Sequence, residues 1–117
     1  MIDTNNTISA LRMLGLKMSS IAGNIANVAS DNYKKTTAIL SEGEAPGSVG
    51  IEINRDESPG HKVYEPHGGD LLERELSNVN IVEEFAKSMT TRNSFETNLT
   101  YLRTVDEMLG KVIDTIG

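Results

Sequence analysis

The chain has 117 residues, a net charge of −6 and no cysteine, and its aromatic residues are two Phe and three Tyr. This length fits one small domain. The lack of cysteine excludes disulfides, thiolate metal sites and cysteine nucleophiles. The negative charge argues against nucleic acid and anionic membrane surfaces as partners, because both would repel it. We find no apolar run near the roughly 20 residues that span a bilayer and no secretory signal at the N-terminus.

Residues 3–29 predict one amphipathic helix. Its apolar residues recur at alternating spacings of three and four, which is typical of a helix that packs along one line. Asp3 or Thr4 is expected to cap its start. Asn32 is expected to adopt a left-handed turn after its end. The residues of the apolar line are Leu11, Leu14, Met18, Ile21, Ile25 and Val28.

Residues 33–76 contain all three prolines and six of the ten glycines. Apolar residues alternate over 49–53, which predicts a short strand, and 62–65 is a second candidate. The segment 58–60, Ser-Pro-Gly, has the composition of a turn between them. We therefore expect a small β-hairpin flanked by loops.

Residues 80–116 predict a helix of about 55 Å at 1.5 Å per residue. Arg92 and Asp106 interrupt its apolar line, whose members are Ile81, Phe85, Phe95, Leu99, Leu102, Leu109, Ile113 and Ile116. The predicted fold is mainly α, with two long terminal helices that pack in a coiled-coil-like manner around a small β-hairpin or loop insertion. The expected division is 1–32, 33–76 and 77–117 within a single domain.

Catalytic motifs are not evident. His61, His67 and Asp70 form the one cluster of metal-ligating residue types, and their spacing matches no standard ligand motif. A small metal hydrolase using the two histidines is the enzymatic alternative, and it would bind a divalent ion. The sequence favours a protein that is not an enzyme and has no catalytic, cofactor-binding or metal site.

Two segments carry a family resemblance. Residues 22–35, AGNIANVASDNYKK, resemble the N-terminal signature of the flagellar rod and hook axial proteins, with Asn32 where that signature has glycine. Residues 77–80, SNVN, resemble the lead-in to the family's C-terminal helix, and Glu83, Glu84 and Phe95 fit the pattern that follows. The segment 61–66, HKVYEP, is most similar to the proximal rod proteins of the C type.

The resemblance implies a structural subunit of the flagellar basal-body rod, in the periplasm-spanning part of the flagellum. It implies self-assembly with copies of itself and other rod proteins, and passage through the flagellar type III export apparatus without a cleaved signal peptide. No nucleic acid, membrane insertion or cofactor is expected. A helical adaptor or export chaperone of the same secretion system is the alternative. The expected assembly interface comprises Leu11, Leu14, Met18, Ile21, Asn24, Ile25, Asn27, Val28, Tyr33, Phe85, Arg92, Phe95, Asn98, Leu99, Leu102, Leu109 and Ile113.

Overall fold

The computed structural model describes residues 4–117, and the predicted capping residue Asp3 lies outside that range. The molecule is elongated, measuring 84 × 25 × 15 Å with a radius of gyration of 21.1 Å, where a compact domain of this length would have about 13 Å. Within this range, four strands lie between two helices in the order of the chain. The elements are α1 (Thr4–Ala26), β1 (Thr36–Glu42), β2 (Val49–Arg55), β3 (Lys62–His67), β4 (Asp70–Glu75) and α2 (Ile81–Ile116).

The two helices pack against each other in opposite directions. Asn24, near the end of α1, contacts Glu84 in the first turn of α2, while Thr4 shares a hollow with Val105. The helix of 36 residues is about 54 Å long and the helix of 23 residues about 35 Å. The last turns of α2 therefore extend past the first described residue of α1.

The line of α2 that faces α1 differs from the apolar line predicted from the sequence. Its most buried residues recur every seven positions and are largely polar, namely Glu84, Thr91 and Val105, with Asn98 half-buried between the last two. Phe85 and Arg92, each one residue further along, are exposed. The apolar periodicity predicted the helix correctly but placed this face one residue, or about 100° of rotation, away.

The strands form two antiparallel hairpins, β1 with β2 and β3 with β4. The predicted pairing of 49–53 with 62–65 is therefore wrong, although both segments are strands. The second hairpin turns at Gly68 and Gly69, whose φ angles are 57° and 91°. Two positive φ angles are what a two-residue hairpin loop requires. This local turn brings β4 beside β3 and leaves the Ser-Pro-Gly segment as a connection between hairpins.

Polar side chains define the helix ends. The side chain of Asn80 accepts hydrogen bonds from the backbone N–H groups of Val82 and Glu83, and so caps α2. Helix α1 ends at Ala26, three residues before the predicted end. Asn32 has φ of 60°, which confirms the predicted left-handed turn.

We expect Leu14→Ala to lower the free energy of unfolding by about 2–4 kcal/mol, because the side chain is 4% exposed and its removal leaves a cavity between the helices. Leu16→Ala is the matched control on the same helix. Its side chain is 45% exposed, so its effect should stay within about 1 kcal/mol. Urea unfolding of both variants measures the difference, and equal losses would contradict this packing.

Candidate assembly site at the junction of the two helices

The side chain of Asn24 links α1 to the first strand. Its Nδ2 donates to the carbonyl of Thr36 at 2.7 Å, and its Oδ1 accepts from the Thr36 backbone N–H at 2.9 Å. The Tyr33 hydroxyl donates to the same Oδ1 at 3.2 Å. Asn24 is 1% exposed, so these bonds satisfy a polar group that burial would otherwise make unfavourable.

Glu84 brings α2 to the same place. Its Oε2 accepts from Asn24 Nδ2 at 3.2 Å, and its Oε1 lies 3.6 Å from the Lys87 ammonium. The Glu84 side chain is 1% exposed, and its Oε1 accepts no hydrogen bond from the described residues. A carboxylate so buried requires compensation by donors and positive charge. The contact therefore fixes which face of α2 turns towards α1.

The two signature segments meet in space. The Asn78 side chain accepts from the Lys35 backbone N–H at 2.7 Å and donates to the carbonyls of Asp56 and Ser58 at 2.8 and 3.0 Å. Its own backbone N–H donates to the Tyr33 carbonyl at 3.2 Å. Residues from both ends of the sequence thus hold the start of α2, the end of α1 and the loop after β2 in one cluster.

An ion pair anchors the second hairpin to this cluster. Lys34 Nζ lies 2.6 Å from Glu75 Oε1, and the same oxygen accepts from the Gly60 backbone N–H at 2.8 Å. The hydrogen bond from Lys34, and then the one from Gly60, lower the pKa of Glu75 below its ordinary value of 4.5. In the neighbouring loop, hydrogen bonds from the Ser58 hydroxyl and then its backbone N–H lower the pKa of Asp56.

Two apolar patches on α2 remain exposed. The first, which we call the N-terminal patch, consists of Val82, Phe85 and Met89, spaced so that they share one side of the helix. The second, the C-terminal patch, lies on the part of α2 that extends past α1. Its members are Leu109, Val112, Ile113 and Ile116, all at least half exposed.

The predicted interface residues fall into distinct environments. Asn24 and Tyr33 belong to the junction, whereas the half-buried Asn27 bonds through its side chain to the nearby Gly23 and Ser30. The residues that are buried or half-buried are Leu11, Leu14, Met18, Ile21, Ile25, Val28, Asn98, Leu99 and Leu102, and those that are exposed are Phe85, Arg92, Phe95, Leu109 and Ile113. The structure thus divides the set between the two-helix pair and free surface.

Sequence reasoning missed Thr36, Ser20 and Glu75 as members of the junction. The Ser20 hydroxyl lies 2.7 Å from that of Thr36. Their partners are distant in the sequence, so periodicity gives no signal for them. The one signal in the sequence is its resemblance to the axial proteins, because that resemblance includes polar residues that helix formation alone does not require.

Comparisons with known proteins found sequences similar to this chain. Residues 74–115 match the family model described as the flagellar basal body rod FlgEFG protein C-terminal. The chain is 27% identical to the flagellar basal-body rod protein FlgC of Escherichia coli O157:H7, over 93% of this chain and 91% of that protein. The corresponding protein of Salmonella typhimurium strain LT2 has the same identity and coverage.

The chain is thus similar to flagellar basal-body rod proteins, over 93% of its length in the curated relatives and over residues 74–115 in the family model. No group of three or more His, Asp or Glu residues within 4–117 is arranged to hold a metal ion. None of the helices in that range combines the length and apolar character needed to cross a bilayer. We therefore infer its function from the exposed apolar patches of α2 and from the polar junction.

We expect Asn24→Asp to destabilise the protein by about 2–4 kcal/mol at pH 7. The change removes the donor to Thr36 and Glu84 and places a second carboxylate beside a buried one. The deficit should shrink at pH 4, where a proton on the introduced carboxyl group relieves the repulsion. Asn27→Asp is the control, because the Asn27 side chain lies just past the end of α1 and bonds locally, to the Gly23 carbonyl and the Ser30 hydroxyl. Urea unfolding at both pH values tests this, and equal losses for the two variants would contradict it.

Glu75 should make stability depend on acid pH. Because its folded-state pKa is lowered, its contribution is fully present above the ordinary value of 4.5 and is lost as pH falls through the lowered value. Thermal melts from about pH 5 down to about pH 3 should show a smaller fall in Tm for Glu75→Gln than for the wild type. Glu44→Gln, in an exposed loop, should retain the wild-type profile. If Tm fell as much in Glu75→Gln as in the wild type, the ion pair would not be a source of the pH dependence of stability.

Proposed function

We propose that the chain is a structural subunit of the bacterial flagellar basal-body rod and assembles through its terminal helices. The observation that carries this proposal is the exposed apolar surface of α2, at its start and at its end, in a chain similar to rod proteins. Monomeric soluble proteins rarely expose contiguous apolar patches unless a partner covers them. A rod of packed subunits supplies such partners on several sides of each helix.

The proposed packing is coiled-coil-like. In the C-terminal patch, Leu109 and Ile113 continue the predicted apolar line, and Val112 and Ile116 widen it. A helix from a neighbouring subunit would take the place that α1 occupies earlier along α2. The division into an N-terminal helix 1–32, an insertion 33–76 and a C-terminal helix 77–117 forms part of this proposal. The remaining members of the predicted interface become contacts between subunits or supports for them.

The proposed setting follows from the relatives. Both named relatives are flagellar basal-body rod proteins, so we propose the basal body as the location and other rod proteins as partners. We also propose passage through the flagellar type III export apparatus without a cleaved signal. A structural role needs no cofactor, nucleic acid or catalytic residue, and the proposal includes none.

The N-terminal patch provides the sharpest test. Phe85 is 54% exposed, so Phe85→Asp should leave the purified protein folded, with a thermal midpoint within a few degrees of the wild type. In a strain lacking the gene, this variant should fail to restore rods, hooks and swimming, because a charge would then lie in a buried contact. Electron microscopy of basal bodies and motility plates measure the result.

Thr97→Asp is the matched control, since it adds a charge to an exposed position of the same helix, about two turns beyond Met89 and about 80° around the helix from it, and it should restore swimming. Wild-type swimming with Phe85→Asp would contradict the proposed packing. Normal flagella in the strain that lacks the gene would contradict the rod role itself and favour the helical adaptor or export chaperone.

A further inference from the structure

The outer edge of β1 presents backbone groups that β2 does not use. Two backbone hydrogen bonds show which residues of β1 bond to β2. The Gly43 N–H donates to the Ser48 carbonyl, and the Asp56 N–H donates to the Lys35 carbonyl. Every second residue of β1 therefore directs its N–H and C=O away from β2. These residues are Thr36, Ala38, Leu40 and Glu42.

Asn24 already occupies one of these positions. Its carboxamide accepts from the Thr36 N–H and donates to the Thr36 carbonyl, which is the pattern that a neighbouring strand would make. Within residues 4–117, the backbone groups of Ala38 and Leu40 that point the same way have no hydrogen-bond partner. The Asn24 side chain thus makes the hydrogen bonds of a neighbouring strand at Thr36, and no group in the described chain makes them at Ala38 or Leu40.

A hollow of about 400 Å³ lies beside this edge. Its floor and walls come from β1 and both helices, and they include the apolar side chain of Ile21 and the charged groups of Lys17, Glu84 and Lys87. Lys87 compensates the buried Glu84. Of the two lysines that line the hollow, Lys17 is therefore the one that has no ion pair within residues 4–117. The hollow can accept an extended segment that carries apolar and acidic side chains.

The β3–β4 hairpin offers such a segment. The bond from the Leu76 N–H to the His61 carbonyl sets its phase, so Leu71, Glu73 and Glu75 direct their backbone groups away from β3. The Glu75 carbonyl is taken by the Asn32 N–H, and the other two positions are open in the described chain. The opposite edge of the hairpin is blocked, because Pro66 has no N–H there to donate.

We propose that β4 of a second copy of this chain adds to the outer edge of β1, so that two hairpins from neighbouring subunits form one four-stranded sheet. This contact rests on the proposed rod function and specifies how neighbouring subunits meet. Leu71 and Glu73 would face the hollow, where Ile21 lines an apolar wall. Lys17 would be a second cation for Glu73, which already lies 2.7 Å from Lys62 of its own hairpin. Leu71 is 70% exposed, and a two-stranded hairpin is only marginally stable without further packing.

The absence of native cysteine allows a disulfide test. In the proposed sheet β4 runs antiparallel to β1, so Leu72 falls opposite an odd-numbered residue of β1, and side chains of such opposed residues are close enough to bridge. Purified full-length Leu72→Cys would be mixed with tagged Thr37→Cys, Ile39→Cys or Ser41→Cys and mildly oxidised. We expect at least one of these mixtures to form the mixed dimer about tenfold faster than its control.

The controls are Asn54→Cys, Glu52→Cys and Gly50→Cys, which lie directly across the ladder from the three β1 positions. Adding Leu71→Pro to the Leu72→Cys chain should abolish the faster reaction, since it removes an outward N–H without touching the β3–β4 ladder. Tyr64→Pro, an outward position of β3, should leave it unchanged. Equal rates for the β1 and β2 positions, or insensitivity to Leu71→Pro, would overturn the proposal. The rod role is tested separately, by the swimming and the electron microscopy of the strain lacking the gene.

Discussion

The contact between Asn24, Thr36 and Glu84 is the constraint on which the rest of the molecule depends. A single carboxamide holds the end of α1, the start of β1 and the first turn of α2 within hydrogen-bond distance of one another. Each of its polar atoms is used, and Glu84 receives both a donor and a nearby ammonium group. An arrangement of this kind has few alternatives, because another rotation of α2 would move Glu84 away from Asn24 Nδ2 and break the hydrogen bond that joins α2 to α1.

That rotation determines which surface remains free. With Glu84 turned inwards, Phe85 lies about 100° around the helix and faces outwards. The polar residues Thr91 and Asn98 then line the contact with α1, while the N-terminal patch is left uncovered. The molecule thus places part of its best apolar surface outside its own core. Such a distribution is unfavourable for an isolated protein and useful for a subunit whose neighbours bury it.

The sequence predicted both helices because their periodic patterns are long, and it predicted the turn at Asn32 and the start of α2 because local residue chemistry determines them. It located the strands at 49–53 and 62–65 but failed for their pairing, which depends on which turn closes first. The Gly68-Gly69 pair forms a two-residue hairpin loop. The Ser-Pro-Gly segment has the composition of a turn but connects the two hairpins. The face of α2 was also missed, since hydrophobic periodicity cannot register a buried Glu84 whose partner lies 60 residues away.

Within the described chain, few apolar side chains are fully buried, namely Leu14, Ile21, Ala38 and Val105. Polar contacts at the junction specify one arrangement, but their net contribution to stability is modest because water competes for the same groups. Any partner that binds only the folded form adds stability by mass action. If a neighbouring helix covers the C-terminal patch, a chain with so small a core gains much of its rigidity on assembly. The same features that make the free subunit marginal would then make the assembled one stiff.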